Sequence, residues 1–137
     1  NVSAKEVLVV VSPEPTSLTD AYALMKVLSI KYAAPSCKLV VNMASNTREA
    51  MDIYRQLNMV VEKFLNISVE YMGCVLFDDK LPRGVKRQKI ISQLYPSAKA
   101  SRSFTNLARK LAESPVSHPH EGDSHFFWDH LYRTQVT

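Results

Sequence analysis

"VLVVVSPEPTSLTDAYALMKVLS", residues 7–29, decides the fold. Val7-Leu8-Val9-Val10-Val11 is an uninterrupted apolar run with β-branched side chains, the signature of a strand buried among neighbours. Pro13 and Pro15 then turn the chain. Ser17-Leu18-Thr19-Asp20 fits a capping box, with Ser17 as N-cap and Asp20 reaching back. Ala21, Leu24, Met25 and Leu28 follow at i, i+3, i+4 and i+7, one face of a helix. The unit is strand, turn, helix.

The same alternation continues. Lys38 to Asn42 and Val69 to Leu76 read as two further strands, joining a first strand over Glu6 to Ser12. Glu6 to Ser12 and Lys38 to Asn42 are near-continuous Val/Leu runs, which predicts parallel strands covered on both faces. Asn46-Thr47-Arg48-Glu49 is a second cap. It opens a helix whose apolar face is Ala50, Ile53, Tyr54, Leu57, Val61 and Phe64. A third helix is predicted over Ala98 to Ala112, facing the core with Phe104, Leu107, Ala108 and Leu111. Strand–helix–strand–helix–strand order predicts right-handed βαβ crossovers and an α/β fold with a parallel sheet and flanking helices. Residues 1–113 form that domain. "SPVSHPHEGDS" after Glu113 holds two prolines and a glycine, so residues 114–122 read as a linker. Residues 123–137 are aromatic again and read as an amphipathic tail.

Composition narrows the function. The 137 residues suit one domain, and 46% apolar with 22% charged residues is ordinary for a globular chain. No apolar run reaches the roughly 18 to 20 residues of a membrane-spanning helix. "NVSAKEVLVVV" lacks a small-residue cleavage site and reads as a strand, not a signal peptide. Cys37 and Cys74 have no metal spacing and read as buried, reduced thiols. The net charge of +4 is modest. Its densest part, "KLPRGVKRQK" (Lys80, Arg83, Lys86, Arg87, Lys89), lacks aromatic interleaving. It reads as a solvated or partner-docking face, with no direct nucleic-acid binding expected.

Chemistry in a parallel α/β sheet sits outside the carboxyl ends of its strands. Those ends here are "SPEPTS", "NMASN" and "FDDK". Asn42 offers a donor and an acceptor together, which can pair with an adenine edge, or it serves as a turn residue. Asp78 and Asp79 can accept from an exocyclic amine or cap the following turn. There is no Gly-x-x-x-x-Gly-Lys-[Ser/Thr] phosphate loop, and no Ser/His/Asp or Cys/His set has catalytic spacing. His118, His120, His125 and His130 all lie in the linker and tail, where no scaffold would fix a metal. If Asp123 to Arg133 is helical, Phe127, Trp128, Leu131 and Tyr132 form one stripe flanked by Phe126. Such a helix can lie in a membrane interface or pack back on its own domain. Only Arg133 adds cationic attraction, so a single tail binds weakly and two tails on a dimer bind better.

Three blocks carry a resemblance to a known family. They are "VLVVVSPEPTSLTDAYALMKVLS", "LVVNMASNTREAMDIYRQL" and "ISVEYMGCVLFDDKLPRGVKRQKIISQLYPSAKASRSFTNLARKL". Together they are similar to the carboxyl-terminal half of the flagellar number regulators, the FlhG/FleN branch of the MinD/ParA-like P-loop ATPases. The "PEPTSLTDAYALMK" block is the most specific, and the tail "HFFWDHL" resembles the end of some members. The resemblance implies a protein that dimerises around ATP and reaches the inner membrane through a C-terminal amphipathic helix, so cytoplasmic with peripheral membrane association. It implies restraint of a flagellar transcriptional activator, opposite the FlhF-type GTPase. By match to the family pattern, Asn42 contacts adenine, Leu76-Phe77-Asp78 line the base pocket, and Glu14-Pro15-Thr16 lie near the nucleotide or the dimer face. Two departures stand out. The phosphate loop, switch regions and magnesium carboxylate of the family's amino-terminal half are absent from these residues. The chain is therefore expected to be a fragment, with magnesium held by the other half and no ATP hydrolysis of its own. Leu76 also stands where members usually have proline, which loosens the base-pocket loop. The alternatives are a stand-alone partner- or membrane-binding α/β module, or half of a related partitioning or division-site ATPase. A lone half would expose strand edges and is expected to be poorly stable or to oligomerise.

Overall fold

The Val/Leu run forms strand β1 (Glu6–Val11), and the chain then enters helix α1 (Pro15–Lys31). The computed structural model describes residues 6–114. The linker and tail, with Phe126, Phe127, Trp128, Leu131 and Tyr132, lie outside the described residues. Beyond α1 come β2 (Ser36–Ala44), α2 (Thr47–Phe64), β3 (Ser68–Leu76), α3 (Lys80–Lys86), α4 (Ile91–Leu94) and α5 (Lys99–Glu113).

The helix start differs from the expected capping box. α1 begins at Pro15, with Glu14 as an extended N-cap whose side chain caps nothing. Pro15 needs no N–H in the first turn and presets the helical φ, so it wins the start position. Ser17 sits inside the helix, and its Oγ accepts from the Ser12 N–H at 3.0 Å, bracing the turn. The second cap forms as read. Asn46 Oδ1 accepts from Glu49 N–H at 2.8 Å, and Glu49 reaches back to the Ser45 N–H at 3.2 Å. Asn46→Ala should cost about 1 kcal/mol. The urea midpoint should fall with the slope unchanged.

The three strands are parallel, in the order β1-β2-β3. Both crossover helices pack on one face, as two crossovers of the same hand stepping in one direction require. Val9, Val11, Cys37, Leu39, Val41 and Val69 project there and meet Ala21, Met25 and Leu28 of α1 and Ala50, Ile53, Leu57 and Val61 of α2. Phe64, expected on that apolar face, is instead exposed at the last position of α2. Burial pushes the Cys37 thiol up to about 11, so it is an inert core thiol. Both cysteines are free.

The opposite face is covered only in part. α5 packs on β3, and Val40, Met72, Val75, Ile91, Ala98, Ala100 and Leu107 form a second core. That cover stops short of β1. Leu8 and Val10 are 47% and 57% exposed, so among the described residues β1 alternates between buried and open positions. The expectation of cover on both faces fails at this strand. On the same face Lys38 is buried and pairs with Glu6.

α5 also turns a different face inward than expected. Ala100, Ser101, Ser103 and Leu107 are buried, whereas Phe104, Ala108 and Leu111 are exposed. Small residues let the helix lie close to β3. Their hydroxyls are satisfied there: Ser101 donates to the Tyr95 carbonyl at 2.6 Å, and Ser103 to the Lys99 carbonyl at 3.0 Å. Burial of a bonded hydroxyl carries little penalty.

Candidate functional site

Parallel register brings all three strand ends to one edge of the sheet. Val11 pairs with Val41, and Ala44 with Leu76. The loops after β1, β2 and β3 therefore emerge side by side. They are tied together: the Phe77 N–H donates to the Ala44 carbonyl at 2.8 Å. The residues singled out in the sequence thus share one edge: Glu14, Pro15 and Thr16 at the start of α1, Asn42 near the end of β2, and Leu76, Phe77 and Asp78 leaving β3.

The end of β2 is irregular. Between the Val41–Cys74 and Ala44–Leu76 pairs, Asn42 and Met43 oppose a single residue of β3. Met43 sits at φ +54°, in the left-handed region that a methionine rarely adopts. A bulge of this kind re-aims side chains next to functional sites, and backbone strain concentrates there. The Asn42 side chain is half-buried and makes no hydrogen bond with any described residue. Its donor and acceptor are taken up by no described residue. Phe77 beside it is 58% exposed, a flat apolar surface at the same edge.

Asp78 is committed differently. It is buried, and its two oxygens accept from the Lys80 N–H at 3.0 Å and the Ala100 N–H at 3.1 Å. The Lys80 amide, then the Ala100 amide, hold its carboxyl below the ordinary value of 3.8; burial opposes them, and the Lys80 and Lys99 charges help. In this structure the carboxylate pins the loop after β3 to the first turn of α5. The Leu76 N–H donates to Ser103 Oγ at 3.2 Å and makes a second tie to the same helix. Glu14 is exposed, and its carbonyl accepts from the Ser17 and Leu18 N–H groups. Pro15 and Thr16 are exposed beside it.

Sequence reading missed Met43, whose strain has no composition signal. It also missed the helix at Lys80–Lys86, which holds Pro82 and Gly84. Pro82 falls in the first turn, where an N–H has no helical partner anyway. Among the described residues no group of three or more His, Cys, Asp or Glu could hold a metal ion. No helix of the described residues is long and apolar enough to cross a membrane.

A parallel three-stranded sheet with helices on its faces and all its strand ends at one edge defines an α/β protein, and the comparisons narrow it. The solved structure of the MinD cell division protein of Aquifex aeolicus aligns with 84% of this chain and 47% of its own, at a TM-score of 0.58 and 20% identity, which establishes the fold. The antiactivator FleN of Pseudomonas aeruginosa is 33% identical over 98% of the chain, and the flagellum site-determining protein YlxH of Helicobacter pylori 29% identical over 88%. The chain spans 48% and 42% of the lengths of these relatives. No protein-family model matches it. The resemblance read from the sequence stands: the chain matches the carboxyl-terminal half of a flagellar number regulator with a MinD/ParA-like fold.

Proposed function

We propose that this chain is the base-binding part of a MinD/ParA-like ATPase that regulates flagellar number and placement. The open Asn42 carboxamide, held at the strained end of β2, carries the reading. Its donor and acceptor match an adenine edge. Phe77 flanks the base, the Leu76-Phe77-Asp78 backbone walls it, and Asp78 keeps that loop in place through α5. Glu14-Pro15-Thr16 lie near the nucleotide or the dimer face. ATP brings the phosphates that the family's other half grips together with magnesium, and two copies close around it. The relative named an antiactivator points to the output, restraint of a flagellar transcriptional activator within the FlhF-type GTPase system. The protein is cytoplasmic and peripherally bound to the inner membrane through Phe126, Phe127, Trp128, Leu131 and Tyr132 of the 123–137 tail, which follows the 1–113 domain and the 114–122 linker.

The test uses the protein from the complete coding sequence around this chain. Calorimetry should show ATP binding that Asn42→Ala weakens about 10- to 100-fold, the worth of one bidentate base contact. The same variant should lose discrimination between ATP and GTP. Unchanged affinity and unchanged discrimination in Asn42→Ala would sink the assignment.

A further inference from the structure

A second surface lies away from the carboxyl edge. β3 is hydrogen-bonded to β2 on one side, and among the described residues no strand lies on its other side. That open edge forms the floor of a groove of about 500 Å³ between the start of α2 and the length of α5. Met51, Met72, Leu76 and Leu107 make it apolar, and Lys99, Arg102 and Lys110 supply three cations. Among the described residues no carboxylate lines it, and none of the three cations is ion-paired with one of them.

The backbone of β3 is tied off at both ends of this groove, and between those ties its outer side meets no strand among the described residues. The Val69 carbonyl accepts from the Tyr54 hydroxyl at 3.0 Å, and the Leu76 N–H donates to Ser103 Oγ. The stretch from Tyr71 to Cys74 lies between those ties. Gly73 sits at its centre, at φ +140°, beside a register shift in the pairing with β2. Where its side chain would project stand Leu107 Cδ2, at 3.1 Å, and Lys110 Nζ, at 3.6 Å. A glycine inside a strand commonly marks a place where another backbone approaches closely.

We infer that the β3 edge is a docking groove for a short, extended, acidic peptide segment of a partner protein. The peptide adds as a fourth strand along Tyr71–Cys74. Alternate apolar side chains enter the groove, and carboxylates meet Lys99, Arg102 and Lys110. Main-chain hydrogen bonds give such strand addition its affinity and side-chain pockets its specificity. A second copy of this chain is a poor occupant, since it would bring a like-charged rim. Nucleic acid lacks a stacking platform here, because the Tyr71 ring is engaged with Tyr54 at 5.3 Å. The groove does not depend on the nucleotide reading, so the two can fail separately.

The test is fluorescence anisotropy on the protein from the complete coding sequence around this chain. The probes are a labelled Glu-Val-Glu-Val-Glu-Val peptide, the same peptide N-methylated on alternate amides, its Lys-for-Glu counterpart, and a single-stranded DNA oligonucleotide. The acidic peptide should bind saturably, and more weakly as salt is raised. N-methylation should weaken it about tenfold or more, because it blocks strand pairing and leaves the charge intact. The exposed pair Arg102→Glu and Lys110→Glu should do the same, with the circular dichroism spectrum unchanged. Absence of saturable binding, equal binding of the N-methylated or the lysine peptide, or tighter binding of the oligonucleotide overturns the proposal. If the double variant loses its fold, the N-methylated peptide and the salt series still decide.

Discussion

Gly73→Val should cost roughly 2–4 kcal/mol of folding stability, because it combines backbone strain with overpacking. At φ +140° an L side chain is strained whatever the space around it. The space is also taken: a Cβ there meets Leu107 Cδ2 at 3.1 Å. Leu107 is buried in the second core and cannot swing out without uncovering Met72 and Val75. Urea unfolding reads the loss as a lower midpoint. The two causes separate in a double-mutant cycle. Gly73→Ala keeps the backbone strain and adds a single carbon against Leu107. In a Leu107→Ala background that carbon has room, so only the strain should remain. The two substitutions should therefore couple, with the double variant better than the sum of the singles. Strict additivity would show that the Leu107 contact plays no part.

What the sequence made legible, and what it hid, follows from the range of the interactions. The parallel sheet class was readable because Val7–Val11 and Leu39–Val41 are unbroken apolar runs alternating with helical patterns, a local signal, whereas the exposure of Leu8 and Val10 was not. The Asn46 cap was readable because donor and acceptor lie three residues apart. The capping box at Ser17 misled because Pro15 two residues earlier already satisfies the helix start. α5 misled because hydropathy favours Phe104 and Leu111, whereas close packing on β3 favours Ala100, Ser101 and Ser103. Those serines are acceptable inside because Ser103 donates to the Lys99 carbonyl of its own helix and Ser101 to the Tyr95 carbonyl just before it. At the candidate site, Asn42 was legible as a polar residue ending an apolar run. The left-handed Met43 beside it was not, since nothing in a methionine announces that conformation. The partner of Asp78, the Ala100 amide, lies 22 residues away and belongs to a helix whose orientation no local pattern specifies.

Asp78 should therefore dominate how α5 is held, and its effect should carry a pH signature. Its folded pKa is depressed, so its contribution is complete above the ordinary value of 3.8 and is lost as pH falls through the lower, folded value. Asp78→Asn keeps the size of the side chain but removes the charge that two amides bind. One of its former oxygens becomes an NH₂ facing an N–H. The variant should melt well below the parent at pH 7, and the gap should start to narrow as pH falls below the ordinary carboxylate value and close only below the depressed folded value, where the folded parent carboxylate is itself protonated. Amide exchange localises the effect. The Ala100 N–H and the first turn of α5 should exchange at least about tenfold faster in the variant at pH 7, while the β1–β2 ladder holds. A stability gap constant from pH 7 to pH 3 would show that packing, not the carboxylate charge, fixes the helix. A closing gap has a consequence for both surfaces. The loop that walls the proposed base pocket and the helix that carries Lys99, Arg102 and Lys110 share the Asp78 anchor, alongside the Leu76–Ser103 tie. Asp78→Asn should then weaken acidic-peptide binding at the β3 edge, although Asp78 does not line that groove.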